Sequence, residues 1–141
     1  MSYATAPRSS RSAQRYREME VLSATPGELV LLVYDHLLAS LLRARTAVAA
    51  GDHEVRVREL GRARDAIAEL LATLDRQRGG EVATQLAGLY AFFLKELTEI
   101  GVDPKVARLD RVIAMIRDLR DAFDAIKPGA ARSAPSRRAP R

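Results

Sequence analysis

The chain holds two histidines, His36 and His53, and no cysteine, so its stock of metal-binding and nucleophilic side chains is small. A di-iron site in a helical bundle needs Glu-x-x-His on facing helices. Val33 and Ala50 occupy the positions three residues before the histidines, so neither has the required carboxylate. A zinc-binding histidine pair at i, i+4 is also missing, and one histidine without partners makes no site. Asp35 stands beside His36, but successive helical residues point about 100° apart, which argues against an acid–base couple. Gly79-Gly80 lacks the lysine and the strand–loop–helix setting of a phosphate loop and reads as a turn. Ser23 and Thr25 read as helix caps rather than nucleophiles. Without cysteine there are no disulfides, thiolate metal sites or cysteine nucleophiles. These residue types point to a protein that binds rather than an enzyme, with no cofactor and no metal.

The element that would do the binding starts at Ser23. The run S-A-T-P-G-E-L-V-L-L-V-Y-D combines a helix start signal with an opening that is apolar almost all round. Thr25 suits the N-cap, Pro26 the first helical position, and Glu28 the capping-box carboxylate. Leu29 to Tyr34 contains no charged side chain. A helix on the outside of a bundle needs only one apolar stripe, so this helix is either covered on several sides or keeps surface for a partner. Its inward stripe is expected at Leu29, Leu32, Val33, Leu37 and Leu41. Val30, Leu31, Leu38 and Leu42 then fall beside or behind it.

Periodicity divides the chain into four helices. The first is expected from Pro26 to Ala50, roughly 37 Å long, with Gly51 as its stop. Asp52 caps a second helix with Val57, Leu60, Ala63, Ile67, Leu70, Leu71 and Leu74 on one face. Arg56, Arg58, Glu59, Arg62, Asp65 and Glu69 form its charged face. After a break at Gly79-Gly80, a third helix carries Val82, Leu86, Leu89, Tyr90, Phe93, Leu97 and Ile100, with Phe92 off the stripe and Gly101 as C-cap. Asp103-Pro104 is expected to open the fourth, which repeats Leu109, Val112, Ile113, Ile116, Leu119, Phe123 and Ile126 before Pro128-Gly129. No segment alternates with period two. The expected fold is all-α, an antiparallel four-helix bundle with room for a short extra N-terminal helix before Ser23.

The net charge of +5 is unevenly placed. Residues 1–17 carry four arginines and no acid, and residues 128–141 another four and no acid. The body from Glu18 to Lys127 holds 15 basic and 18 acidic side chains. This division predicts a flexible basic segment at 1–17, a bundle domain at 18–127 and a disordered Arg/Pro-rich tail at 128–141. No apolar run approaches the roughly 18 residues that span a bilayer, and the N-terminus lacks the apolar core of a secretory signal. A helical nucleic-acid-associated protein binding through its Arg-rich tails is the alternative reading. It would show steep salt dependence, but no helix with interleaved polar readers accompanies the tails.

Three motifs, in order, resemble the flagellar secretion chaperone FliS family. They are Tyr16-x4-Val21 followed by the Ser23–Asp35 run, L-x-x-L-D-R-x-x-G-G-E-V-A-x-x-L-x-x-L-Y from Leu71 to Tyr90, and L-R-D-A-F from Leu119 to Phe123. The resemblance implies a cytoplasmic helical bundle that binds the disordered C-terminal segment of flagellin, blocks premature polymerisation and keeps it competent for flagellar type III secretion. It also implies an N-terminal plug that moves when flagellin binds, which Tyr16 and Val21 match. With Val30, Leu31, Tyr34 and Leu38 on the first helix, these form the expected partner-binding set. Other flagellar export or regulatory proteins are compatible with the resemblance. Nucleic acid and membrane insertion are not expected, and the chain is expected to be a monomer or homodimer. The family's usual Asp-Gly after the tyrosine is here Asp35-His36, and the Arg-rich C-terminal extension is longer than the family pattern.

Overall fold

The computed structural model describes Arg15 and residues 25–126. Apart from Arg15, the expected basic segments at 1–17 and 128–141, the short extra N-terminal helix before Ser23 and the helix stop at Pro128-Gly129 lie outside the described residues. Within residues 25–126 the chain forms four helices and no strand: α1 (Pro26–Ala50), α2 (His53–Ala72), α3 (Arg76–Val102) and α4 (Val106–Ile126).

Local chemistry sets the ends of α1. Thr25 Oγ1 accepts from the Glu28 backbone N–H at 3.2 Å, and the Thr25 N–H donates to Glu28 Oε1 at 3.0 Å. This closes the capping box, with Pro26 in the first turn. Gly51 ends the helix at φ 72°, in the left-handed region that glycine enters without steric cost. Asp52 then caps α2 by accepting from the Val55 N–H.

The later boundaries depart from expectation. Asp75 caps a helix that already begins at Arg76, and the expected interruption at Gly79-Gly80 falls inside α3, where Gly80 leaves helical geometry. Gly80 absorbs that kink at φ 55°, ψ −128°. A side chain on Gly79 would place its Cβ 2.7 Å from Ala83 Cβ, so the turn also needs a bare position there. At the far end α3 runs through Gly101 to Val102, with Asp103 as its C-cap. Asp103-Pro104 therefore closes α3 instead of opening α4, which starts at Val106.

The helices pack in a ring: α1 against α2 and α4, α2 against α3, and α3 against α4. Two ion pairs fix the sense of α1 against α4. Asp35 meets Arg120, and Arg45 meets Asp110, so position rises along one helix as it falls along the other. The core contains Tyr34, Leu37, Leu41, Leu60, Ile67, Tyr90, Phe93, Leu97, Ile100, Leu109 and Ile116. Each large aliphatic side chain moved from water to such a core contributes about 1.5–3 kcal/mol.

The inward stripe of α1 is Leu31, Tyr34, Leu37, Leu41, Ala44 and Ala47, not the stripe expected from Leu29, Leu32 and Val33. An opening that is apolar all round has no polar side to fix its rotation. The second half of the helix does, because Ser40, Ala44 and Ala47 are small enough for close approach while Arg43 and Thr46 stay exposed. Rotation set there carries Leu31 and Tyr34 inward and Leu29 outward. Val57, Val82 and Ile126 also lie outside the core, each more than half exposed.

Glu59 is the other reversal. It was expected on the charged face of α2 and is instead 1% exposed. Arg43 of α1 donates to its Oε1 at 3.1 Å, and Arg58 and Arg62 donate to Oε2 at 3.4 and 3.1 Å. Burial alone would raise the Glu59 pKa, but hydrogen bonds from Arg43 and Arg58, with the Arg43 and Arg62 charges, outweigh it and hold the carboxyl below its ordinary value. Periodicity could not show this, since the partner that makes burial tolerable lies on another helix.

Candidate functional site

A long apolar hollow opens along the first half of α1. One part, about 530 Å³, lies between α1 and the end of α2, with Leu29, Val30, Leu32, Val33 and His36 on one wall and Glu69, Leu70 and Thr73 on the other. A second part, about 330 Å³, continues between α2, α3 and α4, where Leu74, Val82, Leu86, Tyr90 and Phe123 line it. Val30, Leu70 and Thr73 belong to both parts, so the two form one groove. The α3 kink contributes directly, because Gly79 and the turn after it form part of the second wall.

The expected partner-binding residues divide three ways. Val30 sits at the junction of the two hollows and is half-buried. Leu38 is half-buried against the core and lines neither part. Leu31 and Tyr34 are core residues, 5% and 1% exposed, so they form the support beneath the groove and not its surface. Tyr16 and Val21 lie outside the described residues. The groove instead takes Leu29, Leu32 and Val33, which were expected inside. Leu86, expected in the core stripe of α3, is half-buried and lines the second part. The signal for these residues was present in the all-round apolar run, but the rotation of α1 was needed to assign them.

Beneath the groove, Tyr34 and Tyr90 hydroxyls meet at 2.6 Å across the bundle, and the Tyr34 ring packs on Phe123 at 6.1 Å. Burial, then the Tyr90 hydrogen bond, raises the Tyr34 pKa far above that of an ordinary tyrosine. Burial also raises Tyr90, against the opposing effect of the hydrogen bond. Both phenols therefore stay neutral, and the pair fixes the floor by satisfying two buried hydroxyls with each other.

Asp35, Thr73 and Asp75, around the site, already have partners within the protein. Asp35 accepts from Arg120 Nε at 2.8 Å, on the side of α4. His53 is exposed on α2 and meets Arg56 at 3.3 Å. His36 is exposed at the groove wall. No group of three or more metal-ligating side chains occurs among the described residues. The groove offers shape and apolar area, so its chemistry is the burial of another apolar surface.

Comparison with known proteins gives a consistent family. The model of the family described as Flagellar protein FliS matches residues 9–130. A protein named Flagellar secretion chaperone FliS from Vibrio cholerae is 31% identical over 121 residues, covering 83% of this chain and 89% of the relative. One of the same name from Salmonella typhimurium is 30% identical over 119 residues, covering 84% and 88%. Another from Bacillus subtilis is 30% identical over 108 residues, covering 77% and 80%.

Proposed function

The chain belongs to the FliS family of flagellar proteins, and from that premise we propose that it is a non-enzymatic export chaperone that binds the C-terminal segment of flagellin in the cytoplasm. Bound in this way, the segment is withheld from premature polymerisation and the subunit stays competent for type III secretion. The observation that carries the reading is the continuous apolar groove along α1, bounded by α2, α3 and α4. A disordered amphipathic segment that folds on contact can lay its apolar face into such a groove, and the ordering cost favours a long, wrapped contact. Among the described residues no helix is long and apolar enough to cross a membrane.

The direct test is isothermal titration calorimetry of the full chain against the C-terminal ~50 residues of flagellin from the source organism, a length matched to the area that coupled folding buries. Binding with a large negative heat-capacity change and weak salt dependence is the expected result. Absence of binding, with steeply salt-dependent binding to DNA instead, would replace this reading by one centred on the arginine-rich ends.

A further inference from the structure

Besides His36, the groove is lined by Glu69 in its first part and by Asp75 and Arg78 in its second as acidic or basic side chains. Asp75 and Arg78 serve each other: the Asp75 carboxylate accepts from the Arg78 N–H at 3.1 Å and lies 3.7 Å from Arg78 Nε. Glu69 is exposed and has no hydrogen bond or ion pair among the described residues. Its helical neighbours three and four residues away, Asp65, Ala66, Ala72 and Thr73, include no cation. His36 stands on the other wall, and no bond joins the two.

Glu69 is also badly placed for the helix that carries it. It lies in the last turn of α2, which ends at Ala72 and holds no basic side chain there. The C-terminal end of a helix carries a partial negative charge, about half an elementary charge, so a cation is stabilising beside it and a carboxylate is not. Carboxylate and helix end together make one electronegative spot at the rim of an otherwise apolar groove. Across from it α1 presents Leu29, Leu32, Val33 and His36, the i, i+3, i+4, i+7 spacing of a single helical face. A segment laid along that face brings its own flank against Glu69 and strips water from it. A carboxylate covered without a partner is costly, whereas a cation on that flank pairs with it and with the carbonyl end of α2.

We propose that Glu69 is a specificity-determining residue of the groove: the segment that docks there carries a lysine or arginine beside its apolar stripe, and the pairing of that cation with Glu69 sets the register. The inference rests on the groove being the docking site for the flagellin segment. The apolar walls supply most of the affinity, and Glu69 rejects segments that bring a neutral or acidic side chain to that point.

The test is calorimetric titration of the full chain with the C-terminal ~50 residues of flagellin, using wild type, Glu69→Lys, Glu69→Gln and Asp118→Lys. Asp118 is exposed on α4 outside both parts of the groove, so its reversal controls for net charge. At about 50 mM salt Glu69→Lys should weaken binding about tenfold and Glu69→Gln about threefold, with Asp118→Lys within about twofold of wild type. The losses at position 69 should shrink near 500 mM salt. Thermal midpoints of the free Glu69 variants should stay level or rise by about 1–4 °C, because the charge removed opposes the helix dipole. When basic residues of the segment are changed to Glu one at a time, one reversal should weaken binding to wild type and restore about fivefold or more to Glu69→Lys. If wild type binds while Glu69→Lys loses no more than Asp118→Lys, or if no reversal compensates, the role of Glu69 is overturned and the groove reading stands. A lowered thermal midpoint would assign Glu69 to the fold and overturn its role as well. No binding by wild type would remove the groove reading and this inference with it.

Discussion

The two ends of this bundle are closed by different physics. At the α1–α2 hairpin end, charges cross between helices. Glu59 gathers Arg43, Arg58 and Arg62, Arg45 chelates Asp110 from the neighbouring helix, and Arg108 of α4 reaches both Glu96 and Glu99 of α3. At the other end the first half of α1, the α3 kink and the last turns of α4 surround an apolar groove, and the prominent interhelical ion pair is Asp35 with Arg120. Ion pairs and small residues specify a single arrangement at the first end. At the second, apolar surface remains available, which suits the docking proposed for α1. Length alone does not separate the two ends, since both are built from the same helices.

The largest break in this contrast should come from Leu97→Asp. Leu97 is fully buried, so an unpaired charge there costs on the order of 5 kcal/mol. Loss of the helical circular dichroism signal is the expected outcome, and a folded variant would mean the core is misassigned. Leu29→Asp, by contrast, changes a residue 37% exposed in the groove wall. It should leave the dichroism intact while weakening binding of the flagellin segment by about tenfold or more. Equal binding by this variant would remove the groove from the proposed site.

Glu59→Gln tests the polar end and should cost about 1–2 kcal/mol at neutral pH, read from urea midpoints. The folded-state pKa of Glu59 is depressed, so its contribution is present above the ordinary value of 4.5 and is lost as pH falls through the lower folded value. Glu96, held down chiefly by the Arg108 hydrogen bond, adds to the same acid-side loss. The gap between wild type and Glu59→Gln should therefore narrow on acidification below pH 4.5, and a gap that widens there would contradict the pairing. Gly80→Ala should have the smallest effect, about 1 kcal/mol, because it strains a residue at φ 55° without filling occupied space.

The fold was mostly legible in the sequence because helix starts and stops are local. The Thr25–Glu28 box, the Gly51 stop and the Asp52 cap each involve residues within about one turn. Local signals failed where two readings competed within a few residues. Asp75 opened a helical turn ahead of the Gly79-Gly80 interruption, and Asp103 served the helix before Pro104 instead of the one after it. At the candidate site, the all-round apolar run from Leu29 to Tyr34 was visible in the sequence, but the facing of its members was not. Leu29, Leu32 and Val33 line the groove, while Leu31 and Tyr34 support it from below.

The sequence by itself determined an all-α chain, the extent of α1, the charge division between the body and its ends, and the motif order that identifies the family. These depend on side chains close together in the chain or on composition. Only the tertiary structure decided the rotation of α1, the burial of Glu59 and the path of the groove across four helices. A helix apolar on every side has nearly equivalent rotations in isolation, and a carboxylate is exposed or buried according to cations on another helix. Both choices depend on partners distant in sequence, so they become fixed only when the helices pack.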